Sequence, residues 1–79
     1  MTTTLDQLPT GAQAIVRELR GGHGLRQRLG SVGLHPGDTL RVLRSGVLGG
    51  PVLIAIHGSR VAIGRRQAER VAVEVADPT

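Results

Sequence analysis

A chain of 79 residues has room for one domain, spanning 1–79 with an ordered core expected over about 5–75, and without Phe, Tyr or Trp that core must be aliphatic. The absence of Cys rules out a disulfide framework, an iron–sulfur cluster and a thiolate zinc site. The net charge of +4 comes from ten Arg and no Lys; it suits nucleic acid, an anionic membrane surface or an acidic protein as partner, and equally a GC-rich coding bias.

The segment Met1 to Asp6 lacks the basic and apolar regions of a signal peptide. No apolar run reaches the roughly 18 residues of a membrane span. A cytoplasmic location without membrane insertion is the expectation. Leu5 and Leu8 stand three apart, with Thr4 to cap and Pro9 to stop, which predicts one helical turn laid over the core. Gly11 opens a strand over 12–19, in which Ala14, Val16 and Leu19 share a face only if the strand carries a bulge.

Gly21-Gly22-His23-Gly24 breaks the chain, and from Leu25 the period becomes helical. Leu25, Leu29 and Val32 at i, i+4 and i+7 predict one inward helix face, with Gly33 as a left-handed C-cap and Leu34 packing back. Pro36-Gly37-Asp38 is a turn, followed by a strand over 39–44 with Leu40 and Val42 inward. Residues 45–51 form a Gly-rich loop. Residues 52–56, apolar on both faces, suit a central strand, and His57-Gly58 makes a tight turn into a return strand over 60–63. A short helix over 65–70 turns Ala68 inward, the alternating strand 71–75 closes the sheet, and Ala76 to Thr79 fray. Five short strands with tight turns amount to a mainly β, partly open small barrel.

The chain offers little chemistry. His23, His35 and His57 flank different elements at spacings that favour no metal site, and read as surface histidines. Asp6, Glu18, Asp38, Glu69, Glu74 and Asp77 are isolated, so no carboxylate pair is nominated. No Ser lies in a Gly-x-Ser-x-Gly elbow, and the 21–24 glycine cluster lacks the Gly-Lys-Ser/Thr ending of a phosphate loop. Arg26 and Arg28 on the first helix, with Arg60, Arg65 and Arg66, form a candidate basic patch. Nucleic acid is not expected there, because no aromatic side chain is available to stack on bases.

Four stretches in order carry a family pattern: Leu5-x-x-Leu8-Pro9-x-Gly11; Arg28-Leu29-x-x-x-Gly33-Leu34-x-Pro36-Gly37-Asp38; Gly50-Pro51-Val52; and Val61-Ala62-Ile63-Gly64-Arg65-x-x-Ala68-x-x-Val71-x-Val73. Together they resemble FeoA, the small cytosolic accessory protein of bacterial ferrous iron uptake. The resemblance implies an SH3-like barrel of about five strands with one or two short helices, no enzymatic activity, no cofactor and no metal site. Its implied partner is FeoB, a membrane transporter with a cytosolic GTPase domain.

The same domain ends metal-dependent repressors of the diphtheria-toxin-repressor type, but this chain shows neither a helix-turn-helix nor a dimerisation segment, which favours the stand-alone reading. The docking surface expected on the chain comprises Arg26, Arg28, Leu48, Arg65 and Arg66. Leu48 is included because an apolar residue in a Gly-rich loop needs a reason to be there. A nucleic-acid-binding SH3-like module, and a regulator that supplies Arg28 or Arg65 to a GTPase in trans, are the rival readings.

Overall fold

The computed structural model describes residues 1–76 of the chain. Six antiparallel strands form one sheet: β1 (Thr2–Thr4), β2 (Gln13–Leu19), β3 (Thr39–Arg44), β4 (Val52–Ile56), β5 (Ser59–Ile63) and β6 (Val71–Val75). Their spatial order is β1-β6-β2-β3-β4-β5. Helix α1 (His23–Ser31) crosses between β2 and β3, and the single turn α2 (Arg65–Ala68) joins β5 to β6. The curled sheet makes the small, partly open barrel expected, with one strand more than the sequence suggests.

The bulge demanded by the spacing of Ala14, Val16 and Leu19 is present. The β2–β6 register shifts between Val16 and Glu18, and all three side chains are buried. Leu40 and Val42 on β3 and Val52, Ile54 and Ile56 on β4 complete the inner face, while Leu53 and Ala55 are half-buried on the other side. Ala68 on α2 is fully buried, as its spacing predicts.

Turn chemistry sets the connections. Helix α1 ends in a Schellman motif: Leu34 N–H donates to Leu29 C=O at 3.0 Å and Gly33 N–H to Gly30 C=O at 3.0 Å. Gly33 sits at φ +89°, where a side chain is disfavoured, and the reversal drives Leu34 into the core. This corrects the expected helix face. Val32 lies at the cap rather than inside the last turn and is 40% exposed, so Leu34 takes the inward place given to it.

Asp38 N–H donates to His35 C=O at 3.1 Å across Pro36 and Gly37, and Gly37 has φ +96°, as a type II turn requires. His57 (φ +51°) and Gly58 (φ +76°) are both left-handed, so the tight turn expected between β4 and β5 is of type I′.

Three other expectations change. Thr4 does not cap the Leu5–Gln7 turn; its hydroxyl donates to the Asp6 carboxylate, and the turn is closed by Leu8 N–H on Leu5 C=O at 3.2 Å. Strand β6 does not end the sheet, because Thr2, Thr3 and Thr4 pair with Glu74, Val73 and Ala72 outside it. Nor does β6 alternate cleanly: Val71, Ala72 and Val73 are all buried, the small Ala72 lying within a strand flanked on both sides. Of the segment expected to fray, 77–79 fall outside the described residues.

Candidate functional site

Helix α2 is short, but it divides the arginines of the surface. Successive helical residues point about 100° apart, so Arg65 and Arg66 face different sides, and Arg70, in the turn that follows α2, lies on the Arg66 side. On the Arg65 side lies a cleft of about 320 Å³ whose walls include Asp6, Gly46, Leu48, Val52 and Arg65. On the Arg66 side a second cleft of about 310 Å³ runs between α2 and the start of α1, with Arg28, Arg66 and Arg70 around it. Gly24 and Arg28, one helical turn apart on α1, form its far wall together with Gly22 and Leu25.

The five residues expected to form one docking surface are therefore split. Leu48 and Arg65 share the first cleft, and Arg28 and Arg66 share the second. Arg26 lines neither; its Nε donates to Leu19 C=O at 3.4 Å and ties α1 to the end of β2. Arg60 on β5 also lies away from both clefts. Arg70 joins the second cleft from the turn after α2, a placement that the sequence does not single out.

Leu48 stands out on two counts. It is 104% exposed, and its backbone is left-handed (φ +56°, ψ +31°) in the Val47–Gly49 turn. A branched apolar side chain at such a backbone is strained and gains nothing from burial. The loop that carries it is held at its start, where Ser45 N–H donates to Thr10 Oγ1 at 3.0 Å, and Gly46 passes so close to Gly50 C=O that a Cβ there would collide with it. Arg65, across the cleft, is 3.9 Å from Glu69, a solvent-exposed pair that leaves its guanidinium available.

A third cluster was not legible from spacing. The turns at 35–38 and 57–58 bring His35 and His57 to opposite oxygens of Asp38. His57 Nε2 lies 3.1 Å from Asp38 Oδ1 and His35 Nδ1 3.5 Å from Asp38 Oδ2. The His35 backbone N–H also donates to Oδ2 at 2.9 Å. That bond, reinforced by the charge and hydrogen bond of His57 and the charge of His35, holds the Asp38 carboxyl below the usual carboxylate range.

The two rings lie over the end of α1. A Cβ on Gly30 would fall 3.1 Å from His35 Nε2, and one on Gly33 would fall 3.3 Å from His57 Cδ2. Because the rings address different oxygens, the trio is a hydrogen-bonded clasp. Among the described residues, no three His, Cys, Asp or Glu side chains are arranged to share a metal ion. His23 is remote from this clasp, exposed at the start of α1. Among the described residues no helix is long and apolar enough to cross a membrane.

A family model described as the FeoA domain matches residues 3–75. A Methanocaldococcus jannaschii protein named "Putative Fe(2+) transport protein A" is 42% identical over 67 residues, which is 85% of this chain and 79% of that one. The crystal structure of an iron uptake regulatory protein, FeoA, superposes with a TM-score of 0.88 at 42% identity, over 96% of this chain and 99% of the other. A manganese-dependent transcriptional repressor shares the fold at 21% identity and a TM-score of 0.87, over 95% of this chain and 42% of its own.

Proposed function

The chain belongs to the FeoA family of ferrous iron transport accessory proteins, and from that premise we propose that it supports Fe²⁺ uptake by docking on the cytosolic region of a FeoB transporter, without an enzymatic step of its own. The observation that carries this reading is Leu48, an exposed leucine held on a strained backbone beside Arg65. Selection for stability alone would place Gly or Asn there. An apolar anchor flanked by a guanidinium suits a partner segment that presents an apolar pocket next to a carboxylate.

The expected absence of cofactor and tight metal binding fits an accessory role in the cytoplasm, since a docking protein needs a surface and no reaction centre. Purified FeoB cytosolic region, immobilised and challenged with this chain and with its Arg65→Ala variant, tests the proposal. Retention of the wild-type chain and loss with Arg65→Ala are expected, whereas no retention of the wild type overturns it. The GTPase rate of the same region, measured with and without the chain, decides whether docking also regulates hydrolysis.

A further inference from the structure

We infer that the cleft between α1 and α2 is a binding site for a phosphate group, with Arg28, Arg66 and Arg70 as its ligand-holding residues. Arg28, Arg66 and Arg70 line one cleft of about 310 Å³, and among the described residues no acidic residue lines it with them. Among the described residues none of the three pairs with a carboxylate, a state shared by Arg26, Arg41, Arg44 and Arg60, whereas Arg17, Arg20 and Arg65 pair with Glu74, Glu18 and Glu69. What sets the three apart is that they line one cleft. Like charges gathered around one cleft without a counter-charge repel, a cost that an anionic occupant relieves.

The number and type of donors favour phosphate over carboxylate. Guanidinium forks match either anion, but three of them offer more donors than the two oxygens of one carboxylate accept. A phosphate monoester or polyphosphate presents three or more acceptor oxygens and a second negative charge. The neighbouring first turn of α1 has no side-chain cap, which adds backbone N–H donors to the Gly22–Gly24 wall. With no aromatic residue in the chain, recognition falls on the phosphate and not on a stacked base. The site is separate from Leu48 and Arg65, which line the other side of α2, so it stands or falls independently of the docking proposal.

Two probes separate the sources of such a group. ¹⁵N-labelled full-length chain is titrated with sodium pyrophosphate at 150 mM salt, and separately mixed with phosphatidylcholine vesicles with and without phosphatidic acid. Saturable shifts confined to the amides and guanidiniums of residues 22–28 and 66–70 are expected with pyrophosphate if the ligand is a solute. Shifts there only with phosphatidic acid vesicles identify a lipid headgroup, and either result supports the site.

The variants Arg28→Gln and Arg70→Gln, at exposed positions, should keep the wild-type circular dichroism spectrum and each weaken binding at least tenfold, with Arg60→Gln unchanged. Three outcomes overturn the inference. They are no shift with either probe, shifts spread over all ten arginines, and an Arg60→Gln loss equal to that of Arg28→Gln. Binding of neither probe but of an acidic FeoB segment at these arginines overturns it as well, and assigns the cleft to protein docking.

Discussion

Replacing Leu48 by Gly should make the domain more stable and less useful. The left-handed backbone at Leu48 costs a side-chain-bearing residue about 1–2 kcal/mol, which Gly avoids. Against this, Gly gives the unfolded chain extra freedom that costs about 0.5–1 kcal/mol on folding. No transfer energy is forfeited, because the Leu48 side chain is 104% exposed. The net gain is about 0–1.5 kcal/mol, which in a domain of this size raises Tm by up to about 12 °C. Thermal unfolding followed by far-ultraviolet circular dichroism measures it directly. A fall in Tm would refute the reasoning, since it would mean that the leucine packs against the domain and is not offered to a partner.

Asp38→Asn should destabilise at pH 7 and lose that effect in acid. The folded Asp38 carboxyl is held below its usual range by the His35 N–H and then by the histidine charges. Its contribution is therefore complete above the unfolded carboxyl value of about 3.9 and disappears as pH falls through the lower folded value. Urea unfolding at pH 7 and pH 3 checks this, and a penalty equal at both contradicts the clasp.

Ile54→Ala, at a fully buried position of β4, should cost about 2–5 kcal/mol by the same urea method. Gly37→Ala places a side chain at φ +96° and should cost about 1–2 kcal/mol, with an unchanged m-value. Arg17→Ala removes a pair whose side chains are 51% and 40% exposed and should shift stability by less than about 1 kcal/mol.

Local chemistry made much of this fold readable. The Gly33 cap, the Pro36-Gly37 turn, the His57-Gly58 reversal and the bulge in β2 each follow from residue types whose backbone preferences leave few alternatives. Strand β1 was not readable, because Thr2-Thr3-Thr4 has no apolar alternation; it is a strand because β6 offers an edge, with Val75 N–H donating to Met1 C=O at 2.9 Å. Val32 departs from the inward face that its spacing predicts because a helical period says nothing about where the cap reverses the chain.

For the site, the arginines were identifiable but their grouping was not. Whether Arg28 sides with Arg66 or Arg65 depends on how α2 is turned against α1, which is a tertiary fact. The Asp38 clasp joins two turns 20 residues apart, at His57 and Gly37, so no spacing rule could announce it.

The docking claim meets its sharpest test in a calorimetric titration of the FeoB cytosolic region with the wild-type chain and with Leu48→Gly, a variant whose fold should be, if anything, firmer. Losing the burial of one leucine, worth about 1.5–3 kcal/mol, predicts a Kd weaker by about 10- to 150-fold. No binding by the wild-type chain, or the same Kd for both, contradicts the account.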